Sequence, residues 1–333
     1  MIYIEPRSMD AAFHFSVEEY LTERAESDEA ILMLWQTDRT VMIGSNQVTR
    51  AEIDEIAVGE NDIRVVRRRS GGGTIFTDPK TLLYTVILPW TDATDTREII
   101  RRRVAGPIVD APADMGVPAV LEGRNDILAN GKKVSGLAQY IKGGRICSHG
   151  SLLYDADLDL LAKVLRADPE KIQGKAIRSV RSRVANLKES MAENLTFEGF
   201  KAALKERLFA ENEIRAYTLT RQDTEAVHAI RERSYGTEAW TWDKAPPYSF
   251  RNSKRYPGGR IEVSLAVERG LVRDCRIRGD FLGLLPIREL EENIVGCRLN
   301  ADALSRILNL AENDLPRYLG GLTKQNLMDC IFA

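Results

Sequence analysis

The sequence predicts an α/β (α+β) protein built on a mixed sheet, followed by a small α+β domain. Three observations carry that expectation. Apolar runs of strand length alternate with stretches of helical period through the first 210 residues. Asn130-Gly131 sits between two strand-like runs, and Asn-Gly favours the positive φ values of a type I′ hairpin turn. Beyond residue 250 the order becomes strand, strand, helix, helix, which suits a small α+β unit.

Taken in order, residues 10–25 place Ala12, Phe13, Phe15, Val17, Tyr20 and Leu21 at helical spacing. Strands follow over 30–35 and 40–44, with Asp38-Arg39 as their turn. A short helix is expected over 52–58, then strands over 63–66 and 82–88. Residues 96–115 read as a helix that Pro107 and Pro112 interrupt. Strands over 126–129, 132–141 and 145–154 make a three-stranded meander, with Gly143-Gly144 as the second turn. Helices are expected over 158–165 and 197–209, and residues 218–234 are polar with a weak helical pattern. Residues 237–247, with Trp240, Trp242, Pro246 and Pro247, read as a linker, so the expected domains are 1–240 and 241–333. The second carries strands over 259–268 and 271–279 around an Arg269-Gly270 turn, then helices over 287–295 and 301–310.

Across 333 residues, 44% hydrophobic and 29% charged side chains describe a soluble globular chain. A net charge of −2 gives no reason to expect a nucleic-acid or membrane surface. No apolar stretch reaches a membrane span, and the first residues lack the basic-then-apolar layout of a signal peptide. A cytoplasmic protein is the expectation. Cys147, Cys275, Cys297 and Cys330 form no CxxC pair, and with His14, His149 and His228 they give no zinc spacing.

The chemistry concentrates in Arg67-Arg68-Arg69-Ser70-Gly71-Gly72-Gly73-Thr74-Ile75-Phe76-Thr77-Asp78. Fixed positive charge precedes backbone that carries no side chains. Glycine lets main chain approach a ligand closely, and successive N–H groups can cradle an anion. Arginine adds forked donors for phosphate or carboxylate. A Rossmann loop would need glycine at position 76, where Phe76 stands, and a P-loop would need Ser or Thr where Lys133 follows Gly131-Lys132. By itself the stretch is only modestly better read as an anion site than as a glycine turn flanked by surface arginines.

A second cluster lies in the meander: Gly123-Arg124-Asn125-Asp126, Gly131-Lys132-Lys133-Val134-Ser135-Gly136 and His149-Gly150-Ser151-Leu152. Together with Arg68-Arg69-Ser70-Gly71-Gly72-Gly73, these blocks resemble the lipoate–protein ligase A family of the biotin/lipoate ligase superfamily. Val41-Met42-Ile43-Gly44-Ser45-Asn46-Gln47, Ser179-Val180-Arg181-Ser182-Arg183-Val184-Ala185-Asn186-Leu187, Trp240-Thr241-Trp242 with Ala245-Pro246, and residues 279–285 extend the likeness over nearly the whole chain. Two departures bear on substrate preference. Thr77-Asp78 stands where the family often has His-Asp, and Lys80-Thr81 where it often has Gly-Asn.

The resemblance implies a mixed-sheet catalytic domain with an accessory C-terminal domain. It also implies a reaction in two steps: lipoate and ATP give lipoyl-AMP, and a lysine of an apo lipoyl carrier then takes the acyl group. Acceptors would be lipoyl domains of 2-oxoacid dehydrogenase complexes or the glycine-cleavage carrier. Lys133, in the family's lysine position, would bridge the carboxylate and the α-phosphate. At about 4 Å and an effective dielectric near 20, one such contact is worth roughly 4 kcal/mol before desolvation. Arg68, Ser70, Gly71, Gly72, Gly73, Thr74, Ile75, Phe76, Asn125, Ser135 and Gly136 would contact the nucleotide, with Arg68 holding phosphate. Asp126 would hold Mg²⁺, or merely cap its turn. Trp35, Val41, Ile43, Leu137 and His149 would form the lipoate pocket.

The rivals are an octanoyl or lipoyl transferase, a biotin ligase and a non-catalytic lipoyl-AMP-binding module. The transferases use a cysteine nucleophile. The two regions where it would fall, 120–125 and 167–171, hold none, and Cys147 reads as a small buried strand residue. The arginine-glycine block fits the lipoate branch better than the biotin one. The module reading sits poorly with Lys133, Asp126 and the glycines all present.

Overall fold

The structure is a computed structural model that describes residues 1–24, 29–91, 95–123, 125–165, 182–191, 195–210, 213–242, 250–268, 270–310 and 314–332. Arg124, residues 167–171 and 179–181, Ala245, Pro246, Pro247 and Arg269, all invoked above, lie outside the described residues.

A short strand, β1 (Ile2–Ile4), precedes helix α1 (Ala11–Glu23). Asp10 caps that helix, its side chain accepting from the Ala12 N–H at 3.0 Å. Strands β2 (Ile31–Trp35) and β3 (Thr40–Ile43) follow as expected. The single helix expected over 52–58 is two, α2 (Thr49–Glu52) and α3 (Glu55–Glu60), because Ile53 is extended and the Asp54 side chain caps a new start on the Ala57 N–H. Strand β4 (Arg64–Arg67) and a three-residue strand, β5 (Ile75–Thr77), flank the glycines. They pair with β3, parallel and antiparallel respectively, in a separate three-stranded sheet.

Next come β6 (Thr81–Pro89), α4 (Thr96–Ile99) and α5 (Gly106–Asp114). The break expected from the prolines is instead one π-helical stretch, Ile100–Ala105, between the two helices. Pro107 sits in the first turn of α5, where its missing N–H is least costly, and Pro112 is absorbed near the end. The meander has four strands, β7 (Ala119–Glu122), β8 (Asp126–Ala129), β9 (Lys132–Lys142) and β10 (Arg145–Leu153). Asn130 and Gly131 both take positive φ, 50° and 73°, as the hairpin turn requires. Helix α6 (Leu158–Val164) and α7 (Phe197–Ala210) precede β11 (Arg215–Ala216), α8 (Arg221–Arg233) and α9 (Glu238–Trp242).

The main sheet runs β11-β1-β2-β6-β10-β9-β8-β7. Alternation along β2 builds both of its faces. Leu32 and Leu34 enter a cluster with Val104, Ile108, Phe200 and Leu204, while Ile31, Met33 and Trp35 enter one with Phe15, Leu21, Val227 and Ile230. The sheet is therefore sandwiched, with α1 and α8 on one side and α5 and α7 on the other.

The C-terminal part has strands β12 (Phe250–Tyr256), β13 (Gly259–Glu268) and β14 (Leu271–Gly279) in an antiparallel sheet, with helices α10 (Ile287–Ile294), α11 (Ala301–Leu310), α12 (Leu315–Leu319) and α13 (Lys324–Phe332). One strand and two helices here exceed the expected set. This part owns a hydrophobic cluster, from Ile261 to Ile331, that shares no residue with the others. It touches the larger body through main chain. Gly279 N–H donates to Asn46 O at 2.7 Å, Gly72 N–H to Phe281 O at 3.1 Å and Ile141 N–H to Leu284 O at 3.0 Å. Arg317 lies over the Trp90 ring, 4.9 Å from its centroid.

Candidate active site

Two adjoining arginines shape the glycine turn from beneath. The Arg67 guanidinium donates to the carbonyls of Gly44, Gln47 and Thr241. Those bonds tie α9 to β4, so residues 238–242 are part of the larger body rather than a linker. Arg68 is buried and donates to Met42 O (2.9 Å), Gly71 O (2.8 Å), Gly73 O (2.7 Å) and Ser70 Oγ (3.1 Å). Burial, with the Arg67 charge beside it, pushes its pKa down to about 10. The Arg68 fork therefore holds the turn's own carbonyls while its side chain borders the cavity. Arg69 pairs with buried Glu19 at 2.7 Å and lies over the Trp240 ring.

Close approach explains the glycines. A Cβ on Gly44 would stand 2.1 Å from Gly72 O, and one on Gly71 would stand 2.6 Å from Phe281 O. The Gln47 carboxamide joins the Gly44 N–H to the Thr74 hydroxyl, each at 2.9 Å. Ser70 and Gly71 thus serve the turn and the C-terminal part, while Gly72 to Phe76 border the cavity below.

That cavity, of about 250 Å³, runs between the turn and the face of β9 and β10. Its apolar end is made by Phe15, Trp35, Met42, Leu83 and Leu137, with the Phe15 and Trp35 rings 5.5 Å apart. Val41 and Ile43, expected here, point the other way, into a cluster with Ile53, Ala57 and Phe76. Alternation along β3 gives the lining place to Met42.

His149 borders the same end and is tied on both nitrogens. Nδ1 lies 2.9 Å from Glu18 Oε2, and Nε2 lies 2.6 Å from Ser70 Oγ. With Nδ1 donating to the carboxylate, Nε2 accepts from the serine hydroxyl. Glu18 also accepts from Thr85 Oγ1, which accepts from Trp35 Nε1 at 3.0 Å. A hydrogen-bonded chain therefore joins Trp35 to Arg68 and the glycine turn. Cys147 lies near this chain, its Sγ within 4.8 Å of ligand atoms of Glu18 and His149. It is buried and does not border the cavity, and burial and the Glu18 charge push its thiol up.

Lys133 stands at the polar end. Its Nζ is 2.7 Å from Asp126 Oδ1, and both side chains are partly exposed. Where β10 stops pairing, residues 183–185 take its place against β9. Lys133 N–H donates to Arg183 O at 2.7 Å, and Ala185 N–H to Lys133 O at 3.0 Å. Asn125 closes the opposite flank, donating through Nδ2 to Leu137 O at 2.7 Å. Asn125, Lys133, Ser135, Gly136 and Arg183 all border the cavity, whereas Asp126 reaches it only through Lys133. Sequence reasoning missed Phe15, Met42 and Arg183 as lining residues. The period of β3 held the signal for Met42, and the Ser-Val-Arg-Ser-Arg block held it for Arg183.

An apolar slot thus meets a main-chain turn and an ammonium, an arrangement suited to joining an apolar acid to a polyanion. A family model described as the lipoyl protein ligase A/B catalytic domain matches residues 10–209, and one described as the bacterial lipoate protein ligase C-terminus matches residues 245–331. The chain belongs to the lipoate–protein ligase family. It is 34% identical to the lipoate-protein ligase LplJ of Bacillus subtilis, over 100% of each chain. It is also 34% identical to a lipoate–protein ligase of Streptococcus pyogenes, again over 100% of each. Among solved structures, it resembles a lipoate-protein ligase A bound with ATP at 25% identity and TM-score 0.63, covering 72% of this chain and 97% of that one. The P. falciparum LipL1 structure in complex with lipoate shares the fold at TM-score 0.77 and 19% identity, over 99% and 97% of the two chains.

Proposed function

We propose that the enzyme condenses lipoate with ATP in this cavity and passes the lipoyl group to a lysine of an apo lipoyl carrier domain. The observation that supports the reading is that Lys133 borders the same cavity as the apolar slot and the glycine turn. The lipoyl tail would lie among Trp35, Met42 and Leu137, with its carboxylate toward Lys133. A carboxylate oxygen attacks the α-phosphorus and pyrophosphate leaves, giving lipoyl-AMP. The carrier amine then attacks the acyl carbon, an amide forms, AMP leaves with the phosphate oxygen, and the amine loses a proton to water. Lys133 neutralises two mutually repelling anions, which is positioning and charge stabilisation rather than covalent work.

The main-chain groups of Gly73 to Phe76 would face the nucleotide. Mg²⁺ is usually held by one or two carboxylates together with substrate phosphates, and Asp126 beside Lys133 fits that pattern. The ion would offset phosphate charge. Carriers of 2-oxoacid dehydrogenase complexes and of glycine cleavage are the acceptors we expect; a Thermoplasma acidophilum relative, 26% identical, was solved as a bipartite ligase with its E2 lipoyl domain. Transfer through a cysteine is disfavoured by the burial of Cys147 away from the cavity. We also place the division of the chain between Trp242 and Phe250 rather than at 240/241, since α9 is bonded to Arg67.

Lipoate-dependent exchange of labelled pyrophosphate into ATP tests the reading. Exchange is expected with lipoate and ATP alone. Its absence, together with acyl transfer from a carrier-bound donor, would replace adenylation by the transferase route. No helix of the described residues is long and apolar enough to cross a membrane.

A further inference from the structure

One cation at the mouth of the cavity has no part in the chemistry above. We propose that Arg183 binds the phosphate chain of the nucleotide during adenylation, an inference that rests on the adenylation reading. The main chain at this residue is fixed. Its carbonyl accepts from Lys133 N–H at 2.7 Å, and Ala185 N–H returns a bond to Lys133 O at 3.0 Å. Arg183 is therefore carried on the edge of the strand that presents Lys133.

The side chain borders the same cavity and is exposed, so its guanidinium is at the entrance rather than in the core. The charge pattern favours a polyanion there. Among the described lining residues the cations are Arg68, Lys133 and Arg183, and no carboxylate is present. Arg68 lies buried beneath the turn, whereas Lys133 and Arg183 are the lining cations open to solvent. A triphosphate brings more negative charge than one ammonium can balance. A guanidinium can take two phosphate oxygens in one fork, which an ammonium cannot. The competing role for the same side chain is to meet an acidic face of the carrier protein.

The test uses the full chain with Arg183→Gln and Arg183→Lys. Pyrophosphate exchange reads adenylation, and transfer from synthetic lipoyl-AMP to an apo carrier reads the second step alone. Arg183→Gln is expected to raise the KM for ATP roughly 10- to 100-fold, the loss of a charge-assisted contact. Arg183→Lys recovers part of it, and the carrier KM in the transfer assay stays at the wild-type value. An ATP KM within about twofold of wild type in Arg183→Gln overturns the proposal. If the carrier KM rises in that case, the side chain belongs to the acceptor surface. Should Arg183→Gln fail to fold, Arg183→Lys keeps the charge, loses the fork and reads the same KM. Absence of exchange in the wild type would instead remove the adenylation reading itself.

Discussion

Lys133 is positioned before any substrate arrives, its main chain bonded to residues 183 and 185 and its Nζ to Asp126. Lys133→Ala keeps the main-chain bonds and removes the ammonium together with its ion pair to Asp126. Exchange is expected to fall by roughly 10²–10³-fold, the usual loss on removing one preorganised donor. A near-normal rate would take Lys133 out of the mechanism. Arg68 makes the opposite case. Arg68→Met leaves the buried carbonyls of Met42 and Gly71 without this donor, at about 1–3 kcal/mol each. Urea denaturation should show a loss of at least about 2 kcal/mol. Wild-type stability with only a higher KM for ATP would return Arg68 to the phosphate. Sequence alone could not separate these two cations. An arginine beside glycines reads as an anion donor, and whether its head faces solvent or the turn's own carbonyls depends on contacts from β3, far along the chain.

The elements that were legible carry their own local code. The β8–β9 hairpin needed only Asn130-Gly131, and α1 only its spacing and Asp10. Those missed in the larger body are short. β1, β5 and β7 span three or four residues each, too few for a period, and their existence is decided by partners. β3 was found but its faces were exchanged, since alternation sorts Val41 and Ile43 from Met42 without saying which set meets the cavity. Helix α10 carries a pH test. Glu291, on this helix, accepts from Ile277 N–H at 2.7 Å, and burial pushes its pKa up to about 7, outweighing that bond and the charges of Arg278 and Arg288. The folded state thus binds a proton more tightly than the unfolded chain, whose carboxyl titrates near 4.5. Stability from this group is present below about pH 4.5 and is lost as pH rises through about 7. Glu291→Gln should flatten the fall in melting temperature of the C-terminal part between those limits, a difference of a few degrees by calorimetry. Parallel pH profiles for the two proteins would show that Glu291 titrates normally.

At the scale of the molecule, two cores meet over the glycine turn. The order of elements announced both bodies, but not that the second would rest on Gly71 and Gly72, because a glycine run names the space it leaves and not its occupant. Gly71→Ala puts a methyl group 2.6 Å from Phe281 O, main chain that cannot swing aside. The contact between the bodies should weaken by about 1–3 kcal/mol, seen as faster amide exchange at Gly72 and Gly279. Unchanged exchange would mean the backbone yields cheaply.

The chain of bonds from Trp35 through Thr85, Glu18, His149 and Ser70 to Arg68 links the apolar lining of the cavity to the glycine turn. Anyone reshaping the apolar end for a bulkier acid cuts a brace of the glycine turn. The two ends of the cavity are thus mechanically joined, and a variant library should randomise both together.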